Sequence, residues 1–351
     1  MGGGNVPYAL RFHKNIDRAL FYDCLRILDK YPSVDIKSAC YIGFGSYSFE
    51  DFKEIHQRFG ISNMISLEYD ENTFRRQLFN LPLRCITLFN TDSWNFIKEF
   101  DNNINNFSGN LVIWLDYATP AQINNQLLEI QELTKSLKDG DILKVTLNAN
   151  PEAYGGAPYG GYTIDLDDPI SPKMTRMNKS QLRKFYLEKF KAKCTSFSRN
   201  ISGQIDNPEY MTLENFPKVL LHLVAVAIDK NLKQSKIKKH KISSFIYSDS
   251  QHQMLTITFI FIEKQREVAF LETTKIDEWE FYDNSDQGYL NLSIPILTLP
   301  EKMHIDKRIH ESSEIENIFE FSFESQALSS NLLENYLKLY RYYPTFLRAT
   351  I

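Results

Sequence analysis

Short apolar runs alternate with amphipathic stretches through the first half of the chain. The apolar runs predict strands at 39–42, 64–68, 84–89, 111–116 and 142–147. The stretches between and before them, in which apolar residues recur at helical spacing, predict helices at 14–30, 48–59, 71–79, 93–101 and 120–138. Strands that alternate with helices at this spacing form βαβ units. The pattern therefore predicts an α/β fold built on a doubly wound, mostly parallel sheet.

The alternation breaks after the fifth predicted strand. Residues 151–178 contain a run of glycines and aromatics, Gly155 to Tyr162, followed by Asp165, Asp167 and Asp168. A segment of this length without predicted regular structure is typical of a functional loop, and we expect a lid-like loop over the site.

The remainder of the chain, 179–351, predicts an α+β extension. Helices are expected at 179–196, 215–234 and 332–342, and strands at 242–247 and 254–262. This C-terminal region either completes the sheet or forms a second module, and its pattern does not distinguish the two.

A glycine turn and an acidic residue stand at the ends of the first two predicted strands. Gly43-Phe44-Gly45 follows the first strand, and Glu68 ends the second, 23 residues after Gly45. In a Rossmann-like sheet, glycines at this turn let the backbone approach an adenosyl ligand, and an acid at this spacing accepts hydrogen bonds from the ribose hydroxyls. The alternative is a tight turn followed by a solvated acid.

Three segments carry a resemblance to a known family. Tyr41–Ser46, Met64–Glu68 and Trp114–Tyr117 resemble the class I methyltransferases that depend on S-adenosylmethionine (SAM). More narrowly, these segments and the tail Tyr340–Pro344 are similar to bacterial proteins labelled as O-methyltransferases, some of them encoded near antiphage-defence genes. The resemblance covers roughly residues 38–150.

The resemblance implies a cofactor, SAM, and a set of site residues. The implied cofactor-binding residues are Gly43, Gly45, Ser46, Glu68 and Asp92. Asp116 and Tyr117, at the end of the fourth strand, are the implied catalytic residues that face the methyl acceptor. Two of these have structural alternatives: Asp92 could cap the following helix, and Asp116 could serve only as a buried carboxylate with a partner.

The chain departs from the family pattern at several positions. Tyr41 replaces the acid that usually stands two residues before the first glycine of the methyltransferase motif, and Tyr47 replaces the third glycine of that motif. The expected function is a methyltransferase of unknown acceptor, with oxygen favoured over nitrogen. The alternative is a catalytically silent SAM-binding or nucleotide-binding sensor or interaction protein, with a protein partner on the C-terminal half and a setting in bacterial defence. An NAD-dependent enzyme is disfavoured because Ser48 stands at the third glycine of GxGxxG.

The predicted organisation has four segments. They are an N-terminal helical lead-in at 1–37, a Rossmann-like SAM-binding core at 38–150, the lid-like loop at 151–178 and the α+β region at 179–351.

Composition narrows the classes of partner. Hydrophobic residues make up 43% of the 351 residues, charged residues 24%, and the formal charge is −4, so we expect no global attraction to nucleic acid or to a membrane. The basic run Lys230–Lys241 could bind a phosphate backbone, but a solvated loop is the favoured interpretation. Arg11, Lys14 and Arg18 could grip an anion, although a solvated helix face is favoured there too.

Cysteine usage and the N-terminus indicate a cytoplasmic location. The four cysteines are separated by spacings that fit neither a disulfide framework nor a zinc site, so no metal is expected. The chain shows no signal-peptide pattern and no apolar run long enough to span a bilayer.

Overall fold

Five parallel strands from the first half of the chain form the larger part of the central sheet. The computed structural model describes residues 11–117, 119–156, 162–165, 173–203, 205–249, 252–309, 319, 321 and 326–344. The five strands are β1 (Cys40–Gly43), β2 (Asn63–Glu68), β3 (Ile86–Asn90), β4 (Leu111–Asp116) and β5 (Ile142–Asn148). Their order is β3-β2-β1-β4-β5, and every neighbouring pair is parallel. The predicted α/β fold with a doubly wound, Rossmann-like sheet is confirmed.

Two short strands lie inside the segment predicted as a lid. β6 (Tyr162–Asp165) and β7 (Lys173–Arg176) pair antiparallel as a separate two-stranded sheet. The prediction of irregular structure throughout 151–178 is therefore wrong for these strands. The glycines at 160 and 161, together with Asp167 and Asp168, lie outside the described residues, and a lid function stays a prediction.

A long hairpin from the C-terminal region joins the same sheet. β9 (His252–Glu263) pairs antiparallel with β5, and β8 (Ile237–Asp249) pairs antiparallel with β9. A short last strand, β10 (Leu290–Asn291), adds to the outer edge of β8 in parallel. Both hairpin strands are longer than the sequence predicted. β8 begins earlier because the basic residues that precede its apolar run also pair with β9.

Helices cover both faces of the sheet. They are α1 (Phe12–Leu28), α2 (Glu50–Phe59), α3 (Glu71–Asn80), α4 (Ser93–Lys98), α5 (Phe100–Asn103), α6 (Ile123–Leu133), α7 (Lys179–Lys193), α8 (Ser198–Ile201), α9 (Phe216–Leu232), α10 (Glu267–Thr274), α11 (Leu299–Asp306) and α12 (Gln326–Leu339). Among the described helices, none is long and apolar enough to cross a membrane.

Alternation along the strands divides the core into two layers. In β4, Val112 and Trp114 pack in the cluster that contains residues of α1 and α2, whereas Ile113 and Leu115 pack in the cluster of α4, α6 and α9. Successive side chains of a strand point to opposite faces, so this assignment also fixes the face of the residues that follow. Asp116 continues the α1 and α2 face, and Tyr117 belongs to the opposite layer.

A buried ion pair fixes α1 on the sheet. Lys144, in the middle of β5, is 1% exposed and its Nζ donates to Asp17 Oδ1 of α1 at 2.7 Å. Thr256 of β9 donates its hydroxyl to the same oxygen at 2.8 Å. The ammonium also lies over the rings of Phe21 and Trp114 at 5.1 and 4.9 Å. These contacts join one helix to two strands and hold α1 in one position.

Removing one partner of this pair should destabilise the protein strongly. We expect Asp17→Ala to lower the free energy of unfolding by about 3–5 kcal/mol, because it leaves the ammonium of Lys144 buried without a carboxylate. The double variant Asp17→Leu/Lys144→Met should recover most of the loss, since no charge is then buried. Urea unfolding of both variants checks this, and an Asp17→Ala variant within 1 kcal/mol of the wild type would contradict it.

Candidate functional site

The strand order indicates that the candidate site lies at one edge of the sheet. The order reverses between β1 and β4, and ligands of open α/β sheets bind outside the carboxyl ends of the strands at such a point. The loop after β1, the end of β2 and the end of β4 all lie at this edge. Gly43 is in register with Ser66 of β2 on one side and with Trp114 of β4 on the other.

The glycine loop after β1 packs tightly against β2. A Cβ on Gly45 would lie 2.5 Å from Ser66 Oγ and 2.8 Å from the Phe49 ring. The Gly45 amide donates to Ser66 Oγ at 3.1 Å. A Cβ on Gly43 would lie 3.1 Å from the Tyr41 hydroxyl, which is also tight. The absence of a side chain at Gly45 is thus required by packing within the site, and contact of either glycine with a ligand stays a prediction.

Ser46 adopts a left-handed backbone conformation in this loop. Its φ is +48°, and Phe49, at the start of α2, has a φ of +53°. Non-glycine residues rarely adopt such angles, and they persist only where surrounding contacts hold them. The Ser46 carbonyl accepts a hydrogen bond from Gln77 Nε2 of α3 at 2.8 Å.

Glu68 ends β2 beside this loop and is half-buried. One carboxylate oxygen accepts a hydrogen bond from the Asp70 amide at 2.9 Å. Burial raises the pKa of Glu68 above its ordinary value. Among the described residues, no cation lies within ion-pair distance of this carboxylate, which therefore lies partly desolvated at the crevice without a compensating charge.

Asp92 caps the helix that follows β3. It is exposed, and its Oδ1 and Oδ2 accept from the backbone amide and the side-chain amide of Asn95 at 2.7 and 3.0 Å. The capping interpretation of this residue is therefore realised in the structure. A contact with an adenine amine would have to share these oxygens, and that role stays a prediction.

Asp116 ends β4 and forms an ion pair with a lysine of α1. Its Oδ2 accepts from Lys14 Nζ, and one helical turn further along α1 Arg18 pairs with Asp51 of α2. Lys14 and Arg18 are 3% and 4% exposed, so the expectation that they lie on a solvated helix face is wrong. The sequence shows α1 as amphipathic, but periodicity does not reveal that cations on its inner face meet carboxylates at the end of β4 and on α2.

Tyr117 lies in the opposite layer. Its hydroxyl donates to Glu129 Oε2 of α6 at 2.6 Å, and Ser93 of α4 donates to the same oxygen, also at 2.6 Å. The Tyr117 ring lies 6.0 Å from that of Phe44 in the glycine loop. The two implied catalytic residues are adjacent in sequence, but the structure directs their side chains to different faces of the sheet.

A comparison with family models decides the family. The model described as "Putative O-methyltransferase" matches residues 6–351. The chain belongs to this family. Its resemblance to methyltransferases is thereby confirmed, and a comparison with curated proteins returned no match.

Solved methyltransferase structures show only a weak similarity to this chain. NodS, an N-methyltransferase from Bradyrhizobium japonicum WM9, is 9% identical with a TM-score of 0.35, covering 71% of this chain and 97% of that one. A SAM-dependent methyltransferase from Mesorhizobium loti is 13% identical with a TM-score of 0.35, covering 70% and 99%. One from Anabaena variabilis ATCC 29413 is 10% identical with a TM-score of 0.36, covering 71% and 86%. Similarity at this level supports no inference about the acceptor or the site.

The electrostatics of this O-methyltransferase family member limit what its strand-four residues can do. Burial raises the pKa of Asp116, but the charges of Lys14 and Arg18 outweigh it, so the pKa lies below its ordinary value. Burial, together with the charge of Glu129, holds the pKa of Tyr117 well above its ordinary value. Asp116 is therefore an ionised hydrogen-bond acceptor at neutral pH, and the Tyr117 hydroxyl stays protonated. Within the described residues, no group of three His, Cys, Asp or Glu side chains could hold a metal.

The second half of the basic run of this family member makes structural ion pairs. Lys238 pairs with Glu267, Lys239 with Asp229, and the buried Lys241 lies 3.6 Å from Asp283. The expected solvated loop is wrong for this part of the run, because these residues lie within β8. Nucleic-acid binding by the run stays a prediction.

Removing the ammonium beside Asp116 should reverse the sign of this carboxylate's contribution to stability. In the wild type its lowered pKa stabilises the fold above the pKa of an unfolded aspartate, and this contribution is lost as the pH falls through the folded pKa. In Lys14→Met burial becomes the larger effect, so the folded pKa rises above that of an unfolded aspartate, and ionisation destabilises the fold as the pH rises between these two pKa values.

Urea unfolding at several pH values measures this reversal. The matched control is Lys14→Met/Asp116→Asn, which removes the titrating group while it keeps the first substitution. We expect the single variant to lose stability relative to this control as the pH rises. Parallel pH profiles for the single and double variants would contradict the account.

Proposed function

We propose that this chain is a SAM-dependent methyltransferase that binds its cofactor at the carboxyl edge of β1 and β2 and methylates an oxygen acceptor. The observation that carries the proposal is the half-buried carboxylate of Glu68 beside the glycine loop, with its raised pKa and no cation within ion-pair distance among the described residues. A carboxylate in this state favours a ligand that brings hydrogen-bond donors. The two hydroxyls of a ribose supply such donors.

The residues at this edge fit the cofactor chemically. Glu68 would accept hydrogen bonds from the ribose, and the backbone of Gly43, Gly45 and Ser46 would line the amino-acid end. Asp92 would meet the adenine amine beside its capping bonds. The bound cofactor would supply an electrophilic methyl group carried on a sulfonium, so the protein would contribute chiefly orientation and exclusion of water.

Asp116 is assigned to orienting the acceptor. Its carboxylate is ionised and paired with Lys14, so it accepts a hydrogen bond from an acceptor hydroxyl more readily than it removes a proton. Tyr117, whose hydroxyl is engaged by Glu129, contributes the face of its ring beside Phe44. The preference for oxygen is supported by the description of the family.

A second candidate function is cofactor binding without methyl transfer. The ion pair that occupies Asp116 favours it, because the proposed orienting group is already held by the protein. Incubation with SAM labelled in its methyl group separates the two. Labelled product supports the enzyme, whereas bound cofactor without any product supports a sensor, for which antiphage defence is the setting implied by the resemblance.

Cofactor titration tests the role of Glu68. Calorimetric titration with SAM should show binding that Glu68→Ala weakens by about tenfold to a hundredfold, since a hydrogen bond to a charged group contributes about 1.5–3 kcal/mol. Glu71→Ala is the matched control, because this acid lies three residues further and pairs with the exposed Arg75. Absence of binding by the wild type, or equal effects of the two substitutions, would contradict the proposal.

Binding should also weaken on acidification. Because the pKa of Glu68 is raised, its carboxylate begins to be protonated above the ordinary range, and the protonated form accepts fewer hydrogen bonds. SAM affinity should then fall by up to about tenfold per pH unit once the pH is below that pKa. Glu68→Gln, which does not titrate, should show a flat profile between pH 7 and about 4.5. A wild-type profile that is equally flat would remove this residue from the site.

A further inference from the structure

Helix α3 buries a single side chain, and that side chain is polar. Gln77 is fully buried, while the other residues of the helix are partly or fully exposed. The apolar Leu78 and Phe79 are 57% and 92% exposed, so these two side chains do not hold the helix on the sheet. Burying an amide costs free energy unless it makes hydrogen bonds, so the Gln77 amide requires partners.

The partners of Gln77 belong to the glycine loop and to the strand beside it. Gln77 Nε2 donates to the Ser46 carbonyl at 2.8 Å and lies 3.3 Å from Ser66 Oγ. Ser66 Oγ in turn accepts from the Gly45 amide at 3.1 Å. A carbonyl oxygen can only accept, so the amide nitrogen, and not the amide oxygen, must face Ser46.

Two further side chains of α3 contact the next residue of the loop. Asn80 Nδ2 donates to the Tyr47 carbonyl at 3.0 Å, and the Arg76 guanidinium lies 3.7 Å from the centre of the Tyr47 ring. Three side chains of α3, those of Arg76, Gln77 and Asn80, thus contact the segment that follows Gly45.

The loop needs such support because its backbone is strained. Ser46 and Phe49 both have positive φ, a conformation that costs of order 1–3 kcal/mol for a residue with a side chain. Among the described residues, Gln77 Oε1 is buried without a hydrogen-bond partner. Within the described part of the chain, the side-chain hydrogen bonds of Gln77 are therefore those that its nitrogen makes.

The same helix is joined to Glu68 at its other end. Asp70 caps α3 by accepting from the Thr73 amide at 2.8 Å, and the amide of Asp70 donates to Glu68 Oε1 at 2.9 Å. The amino end of α3 therefore orients the proposed ribose acid, and its last two turns hold the proposed amino-acid end of the site.

We propose that Gln77 is a positioning residue for the cofactor, which fixes the strained loop after β1 in the conformation that receives the amino-acid end of SAM. This inference rests on the proposed function. Gln77 does not touch the cofactor in this account and acts through the Ser46 carbonyl and Ser66.

Two ligands that differ at one end test the role. S-adenosylhomocysteine carries the amino-acid end, and 5′-methylthioadenosine lacks it while it keeps the adenine and the ribose. We expect Gln77→Leu to weaken calorimetric binding of S-adenosylhomocysteine by about tenfold and to change binding of 5′-methylthioadenosine by less than about threefold. A loss of structural integrity alone would weaken both ligands equally.

Two further variants complete the experiment. Arg75→Ala lies on the same helix and breaks only an exposed pair with Glu71, so both affinities should stay unchanged. If Gln77→Leu does not fold, Gln77→Asn keeps the amide but is one methylene shorter, and it should show the same difference between the two ligands.

The outcomes separate this inference from the proposed function. The positioning role is overturned if the wild type binds S-adenosylhomocysteine and the Gln77 variant either binds it equally well or loses affinity equally for both ligands. The proposed function is left standing in that case. Failure of the wild type to bind S-adenosylhomocysteine overturns the proposed function and this inference with it.

Discussion

The reversal of strand order between β1 and β4 is the constraint on which the candidate site depends. Chains on either side of this point continue to opposite sides of the sheet, so the loops after β1 and β4 diverge and leave a crevice at the carboxyl edge. The parallel register of β1 with β2 and β4 brings the glycine loop, Glu68 and Asp116 to that edge.

Charges on the inner side of α1 complete the arrangement. The Asp17–Lys144 pair fixes the middle of the helix on β5, and the neighbouring turns then place Lys14 against Asp116 and Arg18 against Asp51. Buried ion pairs of this kind contribute little net stability, but the loss of one partner is costly, so they specify position rather than strength. Asp116, at the end of β4, is therefore an ionised and oriented carboxylate and not a strong base.

Local pattern in the sequence was sufficient for most of the fold and for part of the site. The five parallel strands follow from apolar periodicity that acts within a few residues. The inward charges of α1, the basic start of β8 and the role of Gln77 depend on residues far away along the chain. The local charge pattern favoured solvated positions for Lys14 and Lys241, whereas the fold buries both lysines and supplies each with a hydrogen-bond acceptor.

We infer that Glu68 receives the ribose of SAM and that the glycine loop receives its amino-acid end. A crystal structure of the protein grown with S-adenosylhomocysteine tests this directly. The account predicts ribose hydroxyls within hydrogen-bond distance of the Glu68 carboxylate and the amino-acid end against the loop that Gln77 holds. Ligand bound elsewhere, or a Glu68 carboxylate that bonds only to the protein while the ligand is present, would contradict it.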